Sequence, residues 1–168
     1  VDDNAHPAQV INLSFTTKSA CSETFQKAID TAVENGSVIA VAAGNANSDV
    51  RDYAPANCNN VVAVGATDAT GKRAAYSNYG EGIDISAPGG DVNASGDLGV
   101  YSLSNSGERG PGDESYAYRQ GTSMSAAHVT AALARLSALN PGANPLELIS
   151  LLTDKASVRP FANESCDD

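Results

Sequence analysis

Basic residues are scarce in this chain: of 168 residues, 10 are Lys or Arg against 20 Asp or Glu, a formal net charge of −10. A surface of that sign repels phosphate backbones, so nucleic acid is not expected as a partner. No apolar run approaches the length of a bilayer-spanning helix, and no membrane association is expected. The opening Val1-Asp2-Asp3-Asn4 lacks the positive charge of a signal peptide. Cysteine is limited to Cys21, Cys58 and Cys166, without the short paired spacing of a zinc site. Acidic residues show no EF-hand spacing. The only histidines are His6 and His128, and neither sits in a Gly-rich helix start. With no internal repeat and no low-complexity linker, the length fits one domain.

What is present is an alternation of strand and helix signals. Ser22 is a good N-cap for a helix over 23–35, with Glu23 in its first turn and Asn35-Gly36 as a C-cap. Phe25, Ala28, Ile29, Ala32 and Val33 form one apolar stripe along it. Residues 37–43 read as a strand apolar on both faces, as parallel strands are. Shorter buried strands are expected over 61–64, with Gly65-Ala66-Thr67 leaving the first, and over 83–86. The segment 93–119 has little apolar periodicity and many glycines, and predicts a β-hairpin with an exposed loop. An Ala-rich helix over 123–139 stops at Asn140-Pro141, and its small side chains predict packing on all sides. A last helix is announced by Asn144, Pro145 and Glu147, with Leu146, Ile149, Leu151 and Leu152 as its expected buried face. The pattern is doubly wound α/β, a mostly parallel sheet with helices on both faces.

The densest chemistry lies in Gly121-Thr122-Ser123-Met124-Ser125-Ala126-Ala127-His128-Val129. Here a serine stands at the mouth of a helix. Its hydroxyl meets the positive end of the dipole and backbone N–H groups that have no intrahelical partner. A nucleophile and part of an oxyanion hole fit in one such turn. The plain alternative is that Thr122 or Ser123 caps the helix. Ligands of doubly wound sheets bind beyond the carboxyl ends of strands, where Asn45 follows Val38-Ile39-Ala40-Val41-Ala42-Ala43-Gly44.

Together these segments resemble the subtilisin-like serine proteases (subtilases). Gly-Thr-Ser-Met-x-x-x-His-Val matches the family's nucleophile motif, with Ala127 where the family usually has Pro. The apolar run ending in Gly44-Asn45, then Ile85-Ser86-Ala87-Pro88-Gly89, and the edge strand Val10-Ile11-Asn12-Leu13-Ser14 follow in family-like spacing. The resemblance implies Ser123 as nucleophile of a serine endopeptidase and Asn45 as an oxyanion donor. It also implies that a polypeptide substrate adds as a strand to Ser14-Phe15-Thr16, opposite a wall of Ala42, Ala43 and Gly44. Phe15 and Thr16 replace family glycines and would reshape the first specificity pocket, for which an aromatic or large aliphatic side chain is the default; an ordinary core role for Phe15 stays open.

The family's catalytic Asp and His motifs do not occur in residues 1–168, so the resemblance implies a partial catalytic domain, incomplete on the N-terminal side. Its missing N-terminal segment becomes a partner, and the chain alone is expected to be inactive. Some secreted bacterial members bridge the positions of Cys21 and Cys58, which implies that disulfide here; two free thiols are the alternative. A Cys at position 166 pairs with a later one in related proteases, suggesting that the domain continues. No cofactor is implied for chemistry. Structural calcium is, with Asp49, Asp52 and above all Asp84 as candidates, although Gly82 replaces a Glu some members carry. Secretion to the extracellular space is implied, and the acidic composition suits it. Two other readings bear weighing. One is a non-catalytic subtilase-like binding module; the other, an α/β-hydrolase, lacks its Gly-x-Ser-x-Gly elbow because position 125 is Ser.

Overall fold

The structure, a computed structural model, describes residues 7–94 and 96–154. The opening Val1-Asp2-Asp3-Asn4, His6 and Cys166 lie outside the described residues. Its centre is a four-stranded parallel sheet in the order β1 (Val10–Leu13), β3 (Val38–Ala42), β5 (Val62–Thr67), β6 (Ile85–Pro88). A crossover through α1 (Glu23–Glu34) returns the chain from β1 to β3, which pair from Val10↔Val38 to Leu13↔Val41.

The two-sided apolar run of β3 explains the layering. Alternate residues of a strand face opposite ways. Val38, Ala40 and Ala42 join Val62, Val64, Ala126, Val129, Leu133 and Leu148 in one core, under α2 (Thr122–Leu139) and α3 (Pro145–Thr153). Ile39, Val41 and Ala43 join Ile29, Ala32, Val50 and Ala63 in the other, under α1. The expected stripe of α1 holds at Ile29 and Ala32, with Phe25 and Val33 partly buried, while Ala28 faces solvent.

Several expectations shift. Strand β5 runs on through Gly65, Ala66 and Thr67, because these pair with Ser86, Ala87 and Pro88 of β6. Glycine there reads locally as a break, but a neighbouring strand supplies the ladder. In α3, Leu148 is the buried residue, whereas Leu146 and Leu151 are 70% and 41% exposed. The helix starts at the capping box of Asn144 and Glu147, and Leu148, Ile149 and Leu152 are the residues that pack against the core. The Ala-rich helix α2 packs on one side only: Ala127, His128, Ala131, Ala134 and Arg135 are exposed.

The expected hairpin forms from β7 (Val100–Asn105) and β8 (Glu114–Arg119), antiparallel. One face carries exposed Tyr101, Leu103, Tyr116 and Tyr118, with Tyr101 ring centroids 5.4 Å from Tyr116 and 4.7 Å from Tyr118. A two-stranded ribbon of β2 (Thr17–Lys18) and β4 (Tyr53–Ala54) lies beside the disulfide, which joins Cys21 and Cys58 as expected. With 37 residues between its ends, the closed loop contributes about 4 kcal/mol by chain entropy.

Two buried carboxylates hold the loop after β6. Asp97 accepts N–H groups from Gly99 at 2.6 Å, Asp91 at 2.7 Å and Ala69 at 2.9 Å; Asp91 accepts those of Ala75 and Asn93. The Gly99 and Asp91 bonds keep the Asp97 carboxyl below the usual carboxylate range. Its stabilisation is therefore present above the unfolded pKa of about 3.9 and is lost as pH falls through the lower folded value. Asp97→Asn should lower the urea midpoint at pH 6, and narrow the further fall that acidification causes. For the core, Leu133→Ala should cost about 2–5 kcal/mol, read as a lower urea midpoint at unchanged slope. Reduction of Cys21–Cys58 should lower the melting temperature of the otherwise unchanged protein.

Candidate active site at the mouth of helix α2

Strands β3 and β5 end on the same side of the sheet as the start of α2, so the loop after β3 meets the first turn of that helix. Gly121 takes φ +142° at the N-cap, a conformation that side chains rarely adopt, and so the N-cap residue supplies no side-chain cap. The capping alternative for Thr122 and Ser123 is thus not what the geometry shows. The Thr122 hydroxyl instead accepts the Gly44 N–H at 3.1 Å and donates to Asn45 Oδ1 at 2.8 Å. The Thr122 backbone N–H donates to the same oxygen at 2.9 Å. Thr122 is fully buried.

This grip has a consequence for the amide. With Oδ1 occupied twice, the Asn45 side chain is oriented and its Nδ2 has no hydrogen-bond partner among the described residues. The backbone N–H of Ser123 has none either. Both nitrogens lie near Gly121: the point where a Cβ would stand is 3.4 Å from Asn45 Nδ2 and 3.8 Å from both Asn45 Oδ1 and Ser123 N. The half-buried Ser123 donates its Oγ–H to the Ser14 carbonyl at 2.9 Å, and the Ser14 hydroxyl donates back to the Ser123 carbonyl at 3.0 Å. A carbonyl is no base, and His128 is turned away, exposed and bonded through Nδ1 to Met124 O at 2.9 Å.

The remaining expected site residues are distributed unevenly. Ser14, Phe15 and Thr16 follow β1 at the free edge of the sheet. Phe15 is 53% exposed, so it is not a core residue, and its ring edges onto Phe25 at 6.4 Å between centroids. Thr16 Oγ1 lies 3.1 Å from where a Cβ on Gly44 would stand, which brings the two expected walls side by side. Ala42 and Ala43 send their methyl groups into the two cores, so only their backbone can face a substrate. Asp84 accepts the Ala63 N–H at 2.7 Å, and burial pushes its carboxyl up. No group of three or more His, Cys, Asp or Glu side chains converges among the described residues. Asp49 is paired instead with Arg51.

Sequence reasoning passed over Asn78. It is 1% exposed and wraps the Asn45 loop: Nδ2 donates to Ala43 O at 2.8 Å, and Oδ1 accepts Ala46 and Ser48 N–H at 3.0 and 3.1 Å. Arg73 adds a bond to Asn47 Oδ1 at 2.9 Å. A buried Asn in a loop has no periodic signal; only its neighbours in space reveal it.

Comparison with known proteins agrees with this geometry. The model of the subtilase family matches residues 1–166. The chain is 44% identical over 160 residues to an extracellular protease of Xanthomonas campestris, covering 95% of this chain and 26% of that protein. It is 42% identical over 130 residues to an extracellular basic protease of Dichelobacter nodosus, covering 77% and 20%. Among solved structures, a protease from Pseudoalteromonas arctica superposes with a TM-score of 0.87 at 46% identity, over 94% of this chain and 46% of that one. A cold-adapted subtilisin-like serine proteinase gives 0.74 at 29% identity, over 93% and 50%. The chain thus spans half or less of each of these relatives, and no helix among its described residues is long and apolar enough to cross a membrane. A family match over nearly the whole chain, on a fold shared with solved subtilisin-like enzymes, means that this chain belongs to the subtilase family of serine proteases.

Proposed function

We propose that this chain is the nucleophile-bearing part of a secreted serine endopeptidase that cleaves protein substrates through an acyl-enzyme on Ser123. The observation that carries the reading is the pair of unpartnered donors, Asn45 Nδ2 and Ser123 N–H, both near Gly121 in the turn that carries Ser123. Donors held in place before the reaction, aimed where negative charge develops, lower the barrier without reorganising. In the proposed reaction Ser123 Oγ attacks the scissile carbonyl. The carbonyl oxygen becomes an oxyanion between the two donors, and its collapse expels the amine and leaves the acyl group on Ser123. Water then releases it by the same steps in reverse order.

The Oγ proton needs a base. Among the described residues Ser123 meets only the Ser14 carbonyl, so the base and the acid that orients it are assigned to upstream sequence of the same catalytic domain. The free edge beyond Leu13, at Ser14, Phe15 and Thr16, is the strand to which a polypeptide adds, with the backbone of Ala42, Ala43 and Gly44 opposite. Such binding reads main chain more than side chains. The extracellular names of the relatives support secretion. A non-catalytic role has no observation in its favour, because it gives no reason for two neighbouring, unpaired donors.

In a protein that includes the upstream segment, a fluorophosphonate should label Ser123, and Ser123→Ala should abolish labelling; a folded, propeptide-free protein that stays unlabelled would overturn the assignment. Asn45→Ala should leave KM near its starting value and reduce kcat by about 10²–10³, as loss of an oxyanion-hole donor does in subtilisin. The chain by itself should hydrolyse peptides negligibly, since loss of the triad His costs about 10⁶ in subtilisin. Hydrolysis by the purified chain that disappears in Ser123→Ala would contradict this.

A further inference from the structure

We propose that Tyr76 is a positioning residue, whose hydroxyl holds the Ser123 turn at a set distance from the Asn45 loop. The inference rests on the catalytic reading above and extends it to a residue with no part in the chemistry. Tyr76 is half-buried, and its hydroxyl lies against the Gly89 carbonyl at 3.0 Å and the Gly90 carbonyl at 2.5 Å. The Gly89 carbonyl is also the acceptor for the Gly121 N–H, at 3.0 Å, two residues before Ser123. One carbonyl oxygen thus receives the phenol and the turn that presents the nucleophile.

The other side of Tyr76 reaches the other donor. Its backbone carbonyl accepts the Asn47 N–H at 2.9 Å, within the loop that carries Asn45. The residue therefore bridges the loop after β6, whose Gly89 carbonyl holds Gly121, and the loop that carries Asn45. Packing leaves little slack around this bridge. A Cβ on Gly89 would stand 2.6 Å from Ala66 Cβ, 2.6 Å from Ser125 Oγ and 2.9 Å from the Tyr76 hydroxyl. Ser125 Oγ donates to Ala87 O at 2.9 Å, which ties the same helix turn to β6. Burial pushes the phenol up to about 12, countered in part by the Gly121 N–H, and the Asp91 and Asp97 carboxylates add to the rise. The hydroxyl thus stays a donor across the ordinary pH range.

The alternative is a hydroxyl that only stabilises the fold. A double-mutant cycle separates the two, because residues acting through one element are not additive. The full-length protease is compared with Tyr76→Phe, Asn45→Ala and the double variant, with turnover normalised to titrated Ser123 so that unfolded molecules are not counted. Tyr76→Phe keeps the ring. We expect kcat to fall about tenfold, the scale of a small misplacement at a reacting centre, with KM unchanged within about twofold. In the Asn45→Ala background the same substitution should change kcat by less than about twofold. Unchanged kcat in Tyr76→Phe, or an equal loss in both backgrounds, overturns the proposal while the catalytic reading stands. Absence of turnover and of Ser123 labelling in the unsubstituted protein overturns both.

Discussion

The Thr122 hydroxyl is the contact on which the site depends. It lies between the Gly44 N–H and Asn45 Oδ1, joining the end of the central strand to the start of α2 across more than seventy residues of sequence. An amide with a free oxygen would rotate and satisfy its own donors. One with its oxygen held twice must point its nitrogen elsewhere, and that nitrogen and the Ser123 backbone nitrogen both lie near Gly121. The bond from the Gly44 N–H to the Thr122 hydroxyl is buried, so neither of those two groups has a competing solvent contact to exchange for it.

That contact needs a rigid base, which the two-sided core supplies. β3 is buried along all its residues, so it cannot slide or tilt without opening both helical layers. Interiors packed this tightly respond to displacement by losing contacts rather than by flowing. The loops at the top of the sheet then inherit their positions from polar groups with almost no freedom. Asn78 wraps the Asn45 loop, while Asp97 and Asp91 gather the loop after β6 through backbone N–H groups. These are buried polar groups with partners, and each defines one loop conformation rather than many.

The exposed surfaces follow from the same arrangement. Among the described residues β1 is the edge strand of the sheet, and α2 turns Ala127, His128, Ala131 and Ala134 outward. Small side chains on an exposed helix face permit close approach of another element, and a free strand edge offers unpaired backbone groups. The hairpin presents stacked Tyr101, Tyr116 and Tyr118 away from the sheet, immediately before the turn at Gly121.

Local signals in the sequence determined a good deal. Caps at Ser22 and Asn144, the apolar period of α1, the two-sided run of β3 and the hairpin were all legible, because each is a short-range preference of backbone or burial. So was the Ser123 turn, through its glycine and the helix that follows. Tertiary structure decided the rest. β5 continued through Gly65 only because β6 lies beside it, and α3 turned Leu148 inward because that residue packs into the core it shares with α2. The Cys21–Cys58 bridge was implied by resemblance, and only the fold brings those thiols together. The same holds for Thr122, Asn78 and Tyr76. Each is an ordinary polar residue to its neighbours in sequence, and its part in the site comes from groups dozens of residues away, which no local pattern encodes.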